Sequence, residues 1–286
     1  MFFKLHPAVL ALYFAFVLGI TLTFNNPFVS AVSLICGVIY TLVLKGRRVY
    51  KTALFSLITV AAVGVFNMLF AHYGADVLFT VGKTDFTLES LAYGLNQGAV
   101  LASSLIWFTL LGSALDSGRI IYLLRFAPKT ALLFSMVLGF IPRMLEKLSD
   151  IRTARAALFG GRENTGFKQR LSEDVKCLSA LVTYALESSI ITARSMQARG
   201  YNPKAVRGER YRYAEQDLLI TTAVLFLSVY IIIQKITGNF AFEFEPYLVS
   251  KRLSIPALIS FALLALIPSA ADLWENIRWK QLSSKT

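Results

Sequence analysis

The chain has 286 residues, of which 56% are hydrophobic and 16% charged, and its mean hydropathy is +0.59. Soluble globular domains are about 45–50% apolar and about 25% charged, so this chain has too few charges to cover a soluble surface. Two cysteines, 17 glycines and 8 prolines also exclude a disulfide-framed, collagen-like or disordered chain. The composition predicts an all-α protein that crosses the membrane several times.

Six runs are apolar and long enough to cross a bilayer, which takes about 20 apolar residues in a helix. They are residues 8–24, 28–44, 52–71, 91–114, 218–236 and 253–271. Asn25-Asn26-Pro27 predicts a tight break between the first two runs. No small-residue cleavage site follows the first run, so we expect it to stay as a membrane anchor. Gly94 and Gly98 predict close packing of the fourth span against another helix.

Two further runs are apolar, but we expect neither to cross the bilayer. Residues 131–142 are too few for a span. Residues 177–193 are longer but contain Glu187 and several hydroxyl-bearing side chains. If one run crossed the bilayer and the other did not, a basic flank would lie outside the cell, against the positive-inside rule. Either both runs cross or neither does.

The basic residues place the two sides of the membrane. Residues 115–213 contain 17 basic and 8 acidic side chains, whereas Lys83, Lys235, Lys251 and Arg252 alone fall on the other side. Basic residues gather on the cytoplasmic side, so both termini and residues 115–213 are predicted to be cytoplasmic. The chain thus divides into a membrane domain with four spans (1–114), a cytoplasmic helical region (115–213), and two spans with a tail (214–286). With so apolar a chain, the net charge of +12 indicates a lipid surface rather than nucleic acid.

Groups that carry chemistry are scarce. The two histidines, His6 and His72, lie near span ends and form no metal-binding pair. No acid falls at the centre of a predicted span, which disfavours a proton relay or an intramembrane protease. Glu89, Asp116 and Asp272 lie at span edges, where we expect them to be solvated. The sequence therefore predicts no catalytic residues, no metal site and no cofactor.

The cytoplasmic region contains two helical patterns. From residue 171 to residue 200, apolar or small residues recur in steps of three and four, which places them on one face of a helix. Residues 145–158 repeat the pattern with basic residues between the apolar ones. Gly160-Gly161 ends the first helix, and Gly200 followed by Pro203 ends the second. We predict two long amphipathic helices that lie against the membrane or a partner.

The end of the second helix, Ala198-Arg199-Gly200, has two explanations. An arginine in the last turn gains from the helix dipole, up to about 1 kcal/mol, with no further role. Alternatively, small neighbours make the tip narrow, and the five-donor guanidinium suits insertion into an acidic groove of another protein. The pattern alone is compatible with both.

The segment from Thr109 to Asp217 resembles the transmembrane T component of energy-coupling factor (ECF) transporters. The matching pieces keep their order and spacing, and the flanking spans also fit that family. They are Leu-Arg-Phe-Ala-Pro (124–128), Gly-Phe-Ile-Pro-Arg (139–143), Ile-Arg-Thr-Ala-Arg (151–155) and Ser-Met-Gln-Ala-Arg-Gly-Tyr (195–201).

In that family, two cytoplasmic helices each end in an Ala-Arg-Gly-like motif that docks into a groove of one of two ATP-binding-cassette ATPase subunits. The resemblance implies this role for Ala198, Arg199 and Gly200. The first motif is degenerate: Gly160 is kept but the expected arginine is missing. Whether Arg155, one turn earlier, replaces that arginine stays open.

The resemblance also implies a separate substrate-binding membrane subunit, held by the helices through small residues: Ala154, Ala157, Ala185 and Ser189. The chain would then be a coupling subunit for the uptake of a vitamin or metal, and not an enzyme. The competing classes are a self-contained secondary transporter and an integral membrane enzyme. A secondary transporter is expected to have two related halves, whereas here four spans precede the cytoplasmic region and two follow it.

Overall fold

The computed structural model describes residues 5–46, 49–70, 77–81, 84–124, 127–159, 166–201, 213, 215–240, 242–243, 249–250 and 254–283. Its elements in chain order are α1 (Pro7–Thr23), α2 (Pro27–Lys45), α3 (Val49–Phe70), β1 (Val77–Val81), β2 (Thr84–Thr87), α4 (Leu88–Ala114), α5 (Ser117–Leu123), α6 (Pro128–Phe159), α7 (Phe167–Ala198), α8 (Glu215–Ile236), β3 (Phe242–Glu243), β4 (Val249–Ser250) and α9 (Ile255–Ser283). Helices dominate, so the predicted all-α class is confirmed. The strands form two short antiparallel hairpins, β1 with β2 and β3 with β4.

The chain forms two compact units. The first contains α1 to α4 together with α8 and α9, and the second contains α5 to α7. The division of the chain into domains and the side of the membrane on which each part lies stay predictions.

Six described helices are long and apolar enough to cross a membrane: α2, α3, α4, α7, α8 and α9. Six spans were also predicted from the sequence, but the two sets differ: the structure includes α7 and leaves out α1. Helix α1 has 17 residues, which is about 25 Å of helix and shorter than the roughly 30 Å hydrocarbon core. Nine of its residues are buried against its neighbours, whereas α7 is almost wholly unburied. An apolar composition like that of α7 also suits a helix that another protein covers.

Proline and a side-chain cap begin each of the first two helices. His6 precedes Pro7, and its Nδ1 accepts a hydrogen bond from the backbone N–H two residues on at 3.2 Å. Asn26 precedes Pro27 in the same way, with its Oδ1 accepting at 3.0 Å. Proline at the first helical position loses no hydrogen bond, and the cap satisfies an N–H that the helix leaves free. The predicted break between these helices is present.

Buried aromatic rings and a chain of hydrogen bonds form the centre of the first unit. Tyr13, Phe14 and Trp107 are fully buried, and the Trp107 ring centroid lies 6.3 Å from each of the other two. Trp107 Nε1 donates to Ser33 Oγ at 3.0 Å, and Ser33 Oγ lies 2.9 Å from Thr21 Oγ1. Buried polar groups need such partners, so these bonds fix how α1, α2 and α4 pack.

A second set of polar residues joins the turn between α1 and α2 to α4 and to Phe240. Asn96 of α4 donates through Nδ2 to Asn25 Oδ1 at 2.7 Å and accepts from Ser30 Oγ at 2.7 Å. Asn26 Nδ2 donates to the Phe240 carbonyl at 3.2 Å. Asn96 therefore has both faces of its amide bonded although it is buried.

The expectation that the acids at span edges are solvated is wrong for two of the three. Asp116 is exposed, but Glu89 is fully buried and Asp272 is 8% exposed. Glu89 lies in the first turn of α4, where the helix dipole favours a negative charge. Asp272 accepts a hydrogen bond from Tyr40 at 3.4 Å. Asp217, in the first turn of α8, is also buried and accepts from the His6 N–H at 3.1 Å.

The predicted close packing at Gly94 and Gly98 is confirmed, and the partner helix is α3. A Cβ at Gly98 would lie 2.8 Å from Val60 Cα, and one at Gly94 would lie 3.0 Å from Gly64 Cα. Only glycine leaves room for backbones this close. The two helices can approach because α4 carries no side chain at these points.

We predict that Gly98→Ala destabilises the protein, because the added methyl must push α3 away from α4; the expected cost is about 1–3 kcal/mol. The measurement is the thermal unfolding midpoint in detergent. Gly112→Ala, on the same helix, is the control, since a Cβ there meets nothing within 4 Å. Equal midpoints for the two variants would contradict the packing described here.

Candidate functional site

The candidate site is the pair of long helices in the second unit, α6 and α7, here called the α6–α7 hairpin. Each helix has 32 residues, or about 48 Å of length. The end of α6 pairs with the beginning of α7, because Arg155 bonds to Glu173 and Arg152 to Asp174. The helices are therefore antiparallel, and their C-terminal tips lie at opposite ends of the hairpin.

One part of the hairpin is held by charges. Arg155 donates to Glu173 Oε2 from Nη2 at 2.7 Å and from Nε at 3.2 Å. Lys176 donates to the other carboxylate oxygen, Oε1, at 2.8 Å. Arg152 lies 3.5 Å from Asp174 in a more exposed pair. We call this part, residues 147–159 and 167–176, the charged end.

Residues of both helices line an apolar groove that extends from the border of the charged end toward the tip of α7. It is lined by residues of α6 from 132 to 148 and of α7 from 181 to 197, together with Tyr201, and has a volume of about 1000 Å³. Three methionines line it, and Arg143 and Gln197 add polar groups: the methionines are Met136, Met144 and Met196. Flexible thioether side chains suit a surface that adapts to what it contacts.

The hairpin has almost no interior of its own. Among the described residues of the second unit, Cys177 alone is buried. Large apolar side chains, each at least half exposed, recur every three or four residues along both helices. They are Leu133, Val137, Ile141 and Leu145 on α6, and Leu171, Val175, Leu178, Val182 and Leu186 on α7. The predicted amphipathic helices are present, and the described residues of this unit do not cover their apolar faces.

Helix α6 is longer than the sequence pattern indicates. The apolar run 131–142 and the amphipathic stretch 145–158 form one continuous helix, with Pro142 inside it. Proline deprives the helix of the hydrogen bond to the carbonyl four residues earlier and favours a bend there. The proline falls within the stretch of α6 that lines the groove, since Arg143 and Met144 beyond it line the groove too.

The tip of α7 is built around a left-handed glycine. Gly200 has φ +68°, its N–H donates to the Gln197 carbonyl at 2.9 Å, and the Tyr201 N–H donates to the Met196 carbonyl at 3.0 Å. These two bonds form a Schellman motif, which satisfies carbonyls that the helix end leaves free. Arg199 is exposed, and no ion pair joins it to any residue that the structure describes. The guanidinium is therefore available to a partner.

The remaining predicted site residues are not brought together. Gly160 lies outside the described residues. Ala154 and Ala157 are exposed at the charged end. Ser189 lines the groove, and its Oγ donates to the carbonyl of Ala185, one turn earlier on α7, at 2.7 Å. Given the antiparallel pairing, the two pairs are separated by about 20–25 Å along the hairpin. Glu173 was not predicted as a site residue. Its bond to Arg155 follows from the register in which the two helices pair, and no local sequence pattern gives that register.

One protein-family model matches the chain. It is described as CbiQ, cobalt transport protein, and it covers residues 2–210. No curated protein matches the chain.

We predict that Gly200→Ala loosens the tip of α7, because alanine at positive φ costs roughly 1–2 kcal/mol. A Cβ at this position meets nothing within 4 Å, so the cost is purely conformational. Hydrogen exchange of the Arg199–Tyr201 amides should become faster, while the unfolding midpoint hardly changes. Gly139→Ala, within a helix and also facing open space, serves as the control. Unchanged exchange at the tip would show that the left-handed turn is not needed there.

Proposed function

The chain belongs to the CbiQ cobalt transport protein family, and on that premise we propose that it is the transmembrane coupling subunit of an ECF-type importer. It is a multi-pass membrane protein of a transport family. In the proposal, it carries no catalytic residue or cofactor, and two ATP-binding-cassette ATPase subunits supply the energy. A separate membrane subunit binds the cargo, a vitamin or a metal, of which cobalt is the one in the family's description.

The observation that carries this proposal is the exposed tip of α7. Arg199 follows the last residue of a long helix, between Ala198 and a glycine that turns the chain away. A rigid fork of five donors on a narrow tip matches a carboxylate-lined groove. In the proposal, Ala198, Arg199 and Gly200 enter such a groove on one ATPase subunit.

The antiparallel arrangement supports two ATPase contacts rather than one. Because the α6 and α7 tips lie at opposite ends of a hairpin about 48 Å long, two separate subunits can each hold one tip. The first contact involves the end of α6, where Gly160 lies outside the described residues. The excess of basic residues in 115–213 supports a cytoplasmic location for this region, and with it for both termini, on the same side as the ATPases.

The uncovered apolar faces support a membrane partner for the hairpin. Burying one leucine or valine side chain contributes about 1.5–3 kcal/mol, so the stripes on α6 and α7 offer a large driving force for association. Ser189 lines the groove and Ala185 lies one turn before it on α7, and small side chains at such positions let a helix approach closely. In the proposal, these faces hold the substrate-binding subunit, and movement of the tips by the ATPases tilts it and releases the cargo inside. Packed helices transmit such displacements because their interfaces switch between discrete arrangements.

Arg199→Glu is expected to abolish co-purification of an ATPase subunit and ATP-driven uptake, because a carboxylate cannot enter an acidic groove. Arg194→Glu makes the same charge change five residues earlier, at a position about 140° away around the helix, and should retain both. Wild-type assembly and uptake in Arg199→Glu would exclude the proposed contact.

Ala185→Trp is expected to release the substrate-binding subunit while the ATPase subunits stay bound. The bulky ring would occupy the face beside Val182, where close approach is needed. Ala180→Trp on the same helix points to the opposite side of this stripe and should leave the complex intact. Pull-down of each variant from the membrane, followed by identification of the bound subunits, decides the matter. If both variants keep the cargo subunit, this face is not its docking surface.

A further inference from the structure

The Arg155–Glu173–Lys176 cluster is the strongest polar contact described between α6 and α7. Nε and Nη2 of Arg155 both donate to Oε2 of Glu173, and Lys176 donates to Oε1. The side chains of Arg155 and Glu173 are only 27% and 33% exposed. Charge-assisted bonds with two donors fix geometry better than a single exposed pair does.

The ion pairs described between the two helices lie at this end of the hairpin. Cys177 is next to Lys176 on α7, and it is the one buried residue among those described in this unit. Lys147 lies 5.3 Å from the centroid of the Tyr184 ring, at the border of the groove. Beyond that point residues of both helices line the groove, as far as Gln197 and Tyr201 near the tip that carries Arg199. The hairpin is therefore held by charged contacts at one end and lined by an apolar groove toward the other.

We propose that Arg155 is a positioning residue that holds the charged end of the hairpin together, and not a replacement for the arginine missing from the first tip. The cluster then acts as the fixed point about which the groove widens or narrows. The inference rests on the proposed function, since it assigns that movement to the transfer of force from the Arg199 tip to the subunit in the groove.

The geometry favours this role over an ATPase contact. Arg155 lies four residues before the last residue of α6, which is about 6 Å back from the end of the helix. Its guanidinium already points across to α7 and is bonded twice to one carboxylate. Reaching an outside groove would require both bonds to break and would leave Glu173 with Lys176 alone.

Charge exchange separates the two roles. Arg155→Glu places a carboxylate opposite Glu173, so the charged end should open and uptake should be lost. Combining it with Glu173→Arg restores an opposite-sign pair, and it should restore both the closed end and uptake. An acidic groove of an ATPase would not accept a carboxylate at this position, so no such rescue is possible if Arg155 is an ATPase contact.

The direct readout is a distance across the groove. Nitroxide labels attached through Val137→Cys and Ile190→Cys report the separation of the helices by electron spin resonance, with the native Cys36 and Cys177 buried. Arg155→Glu should broaden the distribution and shift it to longer distances, and the double exchange should return it to the wild-type distribution. If the charge-reversed variant does not fold, Arg155→Lys replaces it. Lysine keeps the positive charge but not the two-donor geometry of the guanidinium, so the distance distribution should shift by an intermediate amount.

Arg152→Glu is the matched control. It makes the same charge change one turn earlier, where the pair with Asp174 is longer and more exposed, so its shift should be the smaller one. Loss of an ATPase subunit in Arg155→Glu that the exchange does not repair would overturn the inference. An unchanged distance distribution in Arg155→Glu would do the same. When the distance is measured on the purified chain without ATPase subunits, it reports the state of the Arg155–Glu173 pair alone, so a failure of the Arg199 contact would leave this result intact and separately measurable.

Discussion

Two long helices that enclose almost nothing between them require a cover from outside their own unit. The α6–α7 hairpin buries one described side chain, Cys177, while leucine, valine and isoleucine side chains stand exposed along both helices. Monomeric proteins rarely leave so extended an apolar surface free, and surfaces of this kind mark contacts with a membrane or another protein. The partners in the proposed function follow from this need as much as from family membership.

The first unit, in contrast, satisfies its buried groups from within. Its interior carries polar groups, yet Trp107, Ser33 and Thr21 form one chain of hydrogen bonds, and Asn96 has partners on both sides of its amide. Bonds of this kind fix one arrangement of the helices. A well-fixed membrane unit and a hairpin attached to itself at one end are the two components that a coupling subunit needs.

Local patterns predicted what depends on neighbours along the chain. Asn25-Asn26-Pro27 marked the break between the first two helices, Gly94 and Gly98 marked a close helix contact, and Gly200 marked a helix end. Features that depend on distant residues were not predictable. The burial of Glu89 depends on which helices surround it, and the bond from Arg155 to Glu173 depends on the register of the hairpin. The continuity of α6 through Pro142 was missed because a proline normally predicts a helix boundary.

The central claim is that an ATPase subunit holds the tip of α7. The most direct test is cross-linking from Ala198→Cys in the intact complex, in native membranes, with a thiol-directed reagent. The two native cysteines are buried, so the new thiol is the reactive one among the described residues. The account predicts a covalent product with an ATPase subunit, formed only when the reagent can enter the cytoplasm. Labelling of this residue from outside the cell, with no ATPase product, would contradict it.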